Sequence, residues 1–125
     1  MSNWHMLVVE DDVDGQEVVS RILRHHNITF DLAANGEEAL NLLARNDYSM
    51  AILDLALPTI DGWRLLQKIR ETPRTAQLLC VAVTAFHSSE IAVSAIQAGF
   101  VAYFPKPIDT TSFVRELERI LARSS

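Results

Sequence analysis

The chain has 125 residues, 49% of them hydrophobic and 22% charged, with a formal net charge of -5. That is one domain's worth of chain, able to bury about two thirds of its unfolded surface in a single core. Its negative surface argues against sequence-independent nucleic-acid binding, and its single cysteine, Cys80, excludes an internal disulfide and a CxxC site.

Residues 5–9 read as a strand whose carboxyl end runs into Glu10, Asp11 and Asp12. Asp14-Gly15-Gln16-Glu17 has the form of a capping box, with Val18, Val19, Ile22 and Leu23 following at helical spacing. A second strand is predicted over 29–33, and Asn35 with Glu38 caps a helix bearing Ala39, Leu42 and Leu43. Met50, Ala51, Ile52 and Leu53 form an apolar run without alternation, the pattern of a strand covered on both faces in a parallel sheet. It ends on Asp54. A carboxylate has no place inside a buried strand, but at its carboxyl end it meets solvent and ligand. Pro58 blocks further pairing, and Asp61-Gly62 turns the chain into a helix with Leu65, Leu66 and Ile69 inward. A fourth buried strand over 78–83 ends at Thr84 and carries Cys80 as buried filler. A helix then starts at Ser88 or Ser89 and closes at Gly99. A short edge strand over 101–104 leads into Pro105-Lys106-Pro107, where Lys106-Pro107 is a candidate cis bond. Asp109 caps a last helix with Phe113, Leu117, Ile120 and Leu121 inward.

Five strands alternating with five helices predict an α/β fold, a flavodoxin-like (βα)5 three-layer sandwich with a parallel sheet; the acids at the carboxyl ends of the first and third strands make these central neighbours, which fits the order 2-1-3-4-5. All strand ends then share one rim. Glu10, Asp11, Asp12, Asp54, Thr84 and Lys106 meet there from four distant parts of the sequence. Carboxylates about 4 Å apart repel by roughly 4 kcal/mol per pair at an effective dielectric near 20. Magnesium is the natural counter-ion, since two or three carboxylates, a carbonyl and waters suit its octahedral demand. A carboxylate nucleophile, a divalent cation, an ammonium and a hydroxyl suit phosphoryl transfer, with Asp54 attacking to give an aspartyl phosphate.

Four segments carry a family resemblance: LVVEDD, DLALPTIDG, VTA and Lys106-Pro107. In order and interval they resemble the signatures of the receiver domain of two-component response regulators, across nearly the whole chain. VAVTAF and AYFPKPI further resemble stand-alone receivers of cell-cycle and developmental relays. The resemblance implies a single receiver domain over 1–125 whose Asp54 accepts a phosphoryl group from a sensor histidine kinase or phosphotransfer protein. It also implies that Asp11 ligates Mg2+ directly, that Glu10 assists through water, and that the Ala56 carbonyl is a further ligand. Lys106 and Thr84 hold phosphoryl oxygens. Thr84 and Tyr103 match the switch pair, which alters the face of the fourth helix, fifth strand and fifth helix toward an effector protein or a second copy. Ala56 and Phe86 stand where the family tunes hydrolysis, and neither orients a water, which implies slow decay.

Other readings stay open at this stage. A haloacid-dehalogenase-type phosphohydrolase needs a second acid where Ala56 stands, and a flavodoxin-like cofactor binder needs a phosphate loop where three acids stand. A receiver-like module working without phosphorylation, or a receiver cut from a hybrid kinase or longer regulator, would read much the same. The leading expectation is a phosphoacceptor, not a turnover enzyme, with no output domain after the fifth helix. MSNWHMLVVEDD reaches acids too soon for a secretory signal, and no apolar run reaches membrane-spanning length, so the expected location is the cytoplasm. Asp61 is assigned to the turn, and His5, His25, His26 and His87 to structure or surface.

Overall fold

A computed structural model describes residues 3–124. Met1, Ser2 and Ser125, included in the single-domain reading of 1–125, lie outside the described residues. Strands β1 (His5–Val9), β2 (Thr29–Ala33), β3 (Met50–Asp54), β4 (Leu79–Thr84) and β5 (Ala102–Pro105) alternate with helices α1 (Val13–His25), α2 (Gly36–Arg45), α3 (Gly62–Glu71), α4 (Ser89–Ala98) and α5 (Phe113–Ser124). All four strand pairings are parallel, as the alternation predicts, and the order is β2-β1-β3-β4-β5, as expected from the acids that end the first and third strands.

Strand side chains alternate between two cores. Leu7, Val9, Ala51, Leu53 and Ala82 pack with α2, α3 and α4, while Met6, Val8, Ile52, Val81 and Val83 pack with α1 and α5. β3 and β4 are therefore apolar on both faces until Asp54 and Thr84 at their carboxyl ends, and β1 is apolar from Met6 to Val9 with Glu10 directly after it. Cys80 is fully buried in the first core, and burial pushes its thiol up to about 11.

Three local expectations shift. The cap of α1 is Asp12, whose Oδ2 accepts the Gly15 N–H at 2.9 Å, not Asp14. The helix begins two residues earlier because Asp12 is the residue with extended backbone, so Asp14 falls in the first turn. Asp109 caps a turn, accepting from the backbone of Thr111 and Ser112, and α5 proper begins only at Phe113. β4 and β5 each sit one residue later than the apolar runs, so that Thr84 and Pro105 pair as the last residues of the ladder. Pro105 is tolerated because β5 is an edge strand. The Asn35, Asp61 and Ser88 caps and the α4 stop at Gly99 are as read. The Lys106-Pro107 bond is cis.

Candidate functional site

Five loops leave the carboxyl ends of the strands on one rim, and two glycines bring backbone close enough to shape it. A Cβ on Gly62 would lie 2.4 Å from the Asp54 carbonyl oxygen, so only glycine lets α3 start against the end of β3. A Cβ on Gly15 would lie 2.4 Å from Glu10 Oε1, so the first turn of α1 makes room for that carboxylate.

The acids of Glu10-Asp11-Asp12 part company. Asp12 is spent on the helix cap. Glu10 turns inward and is 3% exposed; Asp11 faces solvent. Glu10 Oε2 accepts the Asp12 N–H at 3.2 Å, and its carbonyl accepts from Gln16 Nε2 at 2.7 Å. Asp54, 5% exposed, accepts the Ala56 N–H on Oδ1 at 2.9 Å. Lys106, the residue after β5, reaches in and bridges both carboxylates, with Nζ 2.5 Å from Glu10 Oε1 and 3.0 Å from Asp54 Oδ2. That bridge between Glu10 and Lys106, 96 residues apart, has no signature in a linear pattern.

The electrostatics follow from this crowding. Burial first, and then the hydrogen bond and charge of Asp54, push Glu10 up to about 7. Burial would also raise Asp54, but hydrogen bonds from Glu10, the Ala56 N–H and Lys106 outweigh it and hold its carboxyl below the usual range. Burial would lower Lys106; its hydrogen bonds to Glu10 and then Asp54 outweigh that and raise it, so the ammonium stays charged. The two buried carboxylates titrate as a pair, with Glu10 shifted up and Asp54 shifted down.

Glu10, Asp11 and Asp54 can each offer one oxygen, all within 4.8 Å of one another. Three hard carboxylate oxygens beside solvent fit magnesium, which keeps several waters and takes few protein ligands. The donor set contains no histidine or sulfur to suit zinc.

Thr84, 1% exposed, ends β4; its hydroxyl accepts the Phe86 N–H at 3.1 Å and its carbonyl accepts the Lys106 N–H at 2.8 Å. Tyr103 is half-buried on β5 against the α2–α4 core. Its hydroxyl lies 2.9 Å from Nδ1 of His87, a histidine to which the sequence reading assigns no partner. The pairing depends on the β4–β5 register, which no spacing rule displays. Ala56 and Phe86 are exposed at the rim, Phe86 by 67%. Asp61 lies outside the cluster, capping α3 through the Arg64 N–H at 2.8 Å. His5 lies at the opposite end of the sheet with Asp31, and His26 bonds the Ile22 carbonyl, both structural as expected. Trp63 is partly buried, edge-on to Phe100.

A family model described as the response regulator receiver domain matches residues 6–118. An uncharacterized 14.6 kDa protein of Leptolyngbya boryana is 31% identical over 119 residues, which cover 95% of this chain and 91% of that protein. The chain spans between about a quarter and three fifths of the length of other curated relatives that it matches. Among solved structures, a putative response regulator from Chloroflexus aurantiacus superposes with a TM-score of 0.90 at 32% identity, covering 95% of this chain and 98% of that one. The receiver domain of the sensor histidine kinase PA1611 from Pseudomonas aeruginosa, solved with a magnesium ion in its active-site cleft, superposes with a TM-score of 0.81. Its identity is 30%, over 96% of this chain and 95% of that one.

Proposed function

The chain belongs to the response regulator receiver domain family, whose members take a phosphoryl group on an aspartate in two-component signalling, and from that premise we propose that Asp54 is the acceptor here. The observation that carries the assignment is the bridge of Lys106 to Asp54, a carboxylate at a strand end that is buried yet held ionised. Receiver domains bind Mg2+ at an acidic pocket, and here Asp11, Asp54 and the Ala56 carbonyl would hold it, with Glu10 assisting. When bound, the ion supplies positive charge against the carboxylates and the incoming phosphoryl oxygens.

Asp54 presents its carboxylate oxygen to phosphorus as the bond from phosphorus to the donor's histidine nitrogen breaks, and that nitrogen keeps the electron pair and takes a proton. Lys106 already lies against Asp54 Oδ2 and stays charged, placed to neutralise a phosphoryl oxygen. Among the described residues the Thr84 hydroxyl accepts one hydrogen bond, from the Phe86 N–H, and its own proton is available to another phosphoryl oxygen. Turning Thr84 toward that oxygen opens room for Tyr103, the other member of the switch. The readout would be a changed α4–β5–α5 face, offered to an effector protein or a second copy of the chain. The donor would be a histidine kinase or histidine phosphotransfer protein. The protein acts as a stoichiometric acceptor, not a turnover enzyme. Among the described residues no helix is long and apolar enough to cross a membrane, and we place the domain in the cytoplasm with its kinase partner.

Intact mass after incubation with Mg2+ and acetyl phosphate tests the reading. One added phosphoryl group is expected in the wild type, none without Mg2+ and none in Asp54→Asn. No adduct under conditions that modify another receiver would replace this reading with a phosphorylation-independent interaction module.

A further inference from the structure

The loop between β4 and α4 connects the two proposed switch residues by hydrogen bonds. It leaves the sheet at Thr84, whose hydroxyl accepts the Phe86 N–H at 3.1 Å. The next residue, His87, is exposed, and its Nδ1 is 2.9 Å from the Tyr103 hydroxyl. The rings lie 5.6 Å apart at 36°, so the histidine also covers part of the tyrosine face. A half-buried phenol needs a partner for its hydroxyl, and here that partner is on a loop already tied to Thr84.

We infer that His87 is a positioning residue that holds Tyr103 in the unphosphorylated arrangement through the Thr84-tied loop. This rests on the reading of Thr84 and Tyr103 as the switch pair. When the Thr84 hydroxyl turns to a phosphoryl oxygen, the Phe86 N–H loses its acceptor and the loop carrying His87 is released. Tyr103 can then leave its histidine and move inward. The His87 bond is made in the resting state and broken in the switched one, so it biases the equilibrium toward rest and weakens acceptance of the phosphoryl group by the same factor.

The bias can be read at equilibrium by titrating the Mg2+-loaded protein with beryllofluoride, a tetrahedral mimic of a carboxylate-bound phosphoryl group, and following bound fluoride by 19F NMR. Deleting one such hydrogen bond in His87→Ala is expected to tighten beryllofluoride about two- to tenfold. His87→Gln, which keeps a hydrogen-bonding group on a long side chain, is expected to return most of the way to wild type. In a Tyr103→Phe background, His87→Ala is expected to change nothing. An unchanged affinity in His87→Ala, or an equal shift with and without the Tyr103 hydroxyl, overturns the inference while leaving the receiver reading intact. A wild type that binds no beryllofluoride overturns both, and is recognisable because Asp54→Asn then looks the same as wild type. Should His87→Ala lose its fold, beryllofluoride affinity of His87→Gln equal to that of a folded His87→Phe overturns it as well.

Discussion

The two ends of the sheet each carry a partly or fully buried acid held by two partners, and they differ in charge balance. At the amino end, Asp31 Oδ2 accepts the Tyr48 hydroxyl at 2.7 Å and lies 3.1 Å from His5 Nε2. Burial, and then the Asp31 carboxylate, push the Tyr48 phenol above its usual range, so it remains a neutral donor. That cluster is satisfied as it stands. At the carboxyl end, Glu10 and Asp54 share one ammonium, Lys106, with Asp11 beside them, and burial together with Asp54 raises Glu10 to about 7. Acids in a cluster do not by themselves mark a site; a deficit of counter-charge in a buried setting does.

Removing the counter-charge tests that contrast most severely. Lys106→Ala leaves Glu10 and Asp54 buried without a cation and is expected to cost about 3 kcal/mol at pH 8 without metal. Mg2+ should restore much of that loss in urea melts. Equal cost with and without Mg2+ would mean that the acids do not share a metal.

A smaller effect comes from pH. Folding raises the Glu10 pKa from an ordinary 4.5 to about 7, so the folded state holds the proton more tightly than the unfolded one. Glu10 therefore supports metal-free stability fully below about pH 4.5, and that support is lost as pH rises through 7. The loss between pH 5 and pH 8 is expected to be about 2 kcal/mol, and the stabilisation by Mg2+ is expected to grow over the same range. A Mg2+ effect that is flat in pH would assign the retained proton elsewhere. The amino end supplies the smallest change: Tyr48→Phe should cost about 1 kcal/mol and be indifferent to Mg2+, since nothing there is out of balance.

Much of this was legible in the sequence because the acids and the lysine follow runs of apolar residues, and a run's end fixes a rim position whatever the helices do. Asp54 and Thr84 stand where the runs end. Asp12 was not assigned its job, because which of two nearby acids caps α1 depends on where the backbone turns extended, not on residue type. Glu10 and Asp11 have the same chemistry in sequence, yet one is buried against Lys106 and the other faces solvent. Their difference comes from strand alternation carried one residue past β1 and from the room left by Gly15. His87 and Tyr103 are 16 residues apart on different elements, so only the register of β4 against β5 brings them together. Asp31 and Tyr48 likewise come from β2 and the segment before β3, brought together because both strands pair with β1.

The hydrogen bond from the Lys106 N–H to the Thr84 carbonyl has a consequence for engineering. The hydroxyl and the ammonium proposed to grip the same group sit on two strands joined at that bond, with Pro105 and Pro107 fixing the backbone on either side of the lysine. The side chains can still turn, but the backbone of neither residue can be shifted alone. Transplanting this chemistry into another scaffold therefore means moving the ends of β4 and β5 as one cassette, and libraries that vary 84 and 106 independently will mostly sample mismatched pairs.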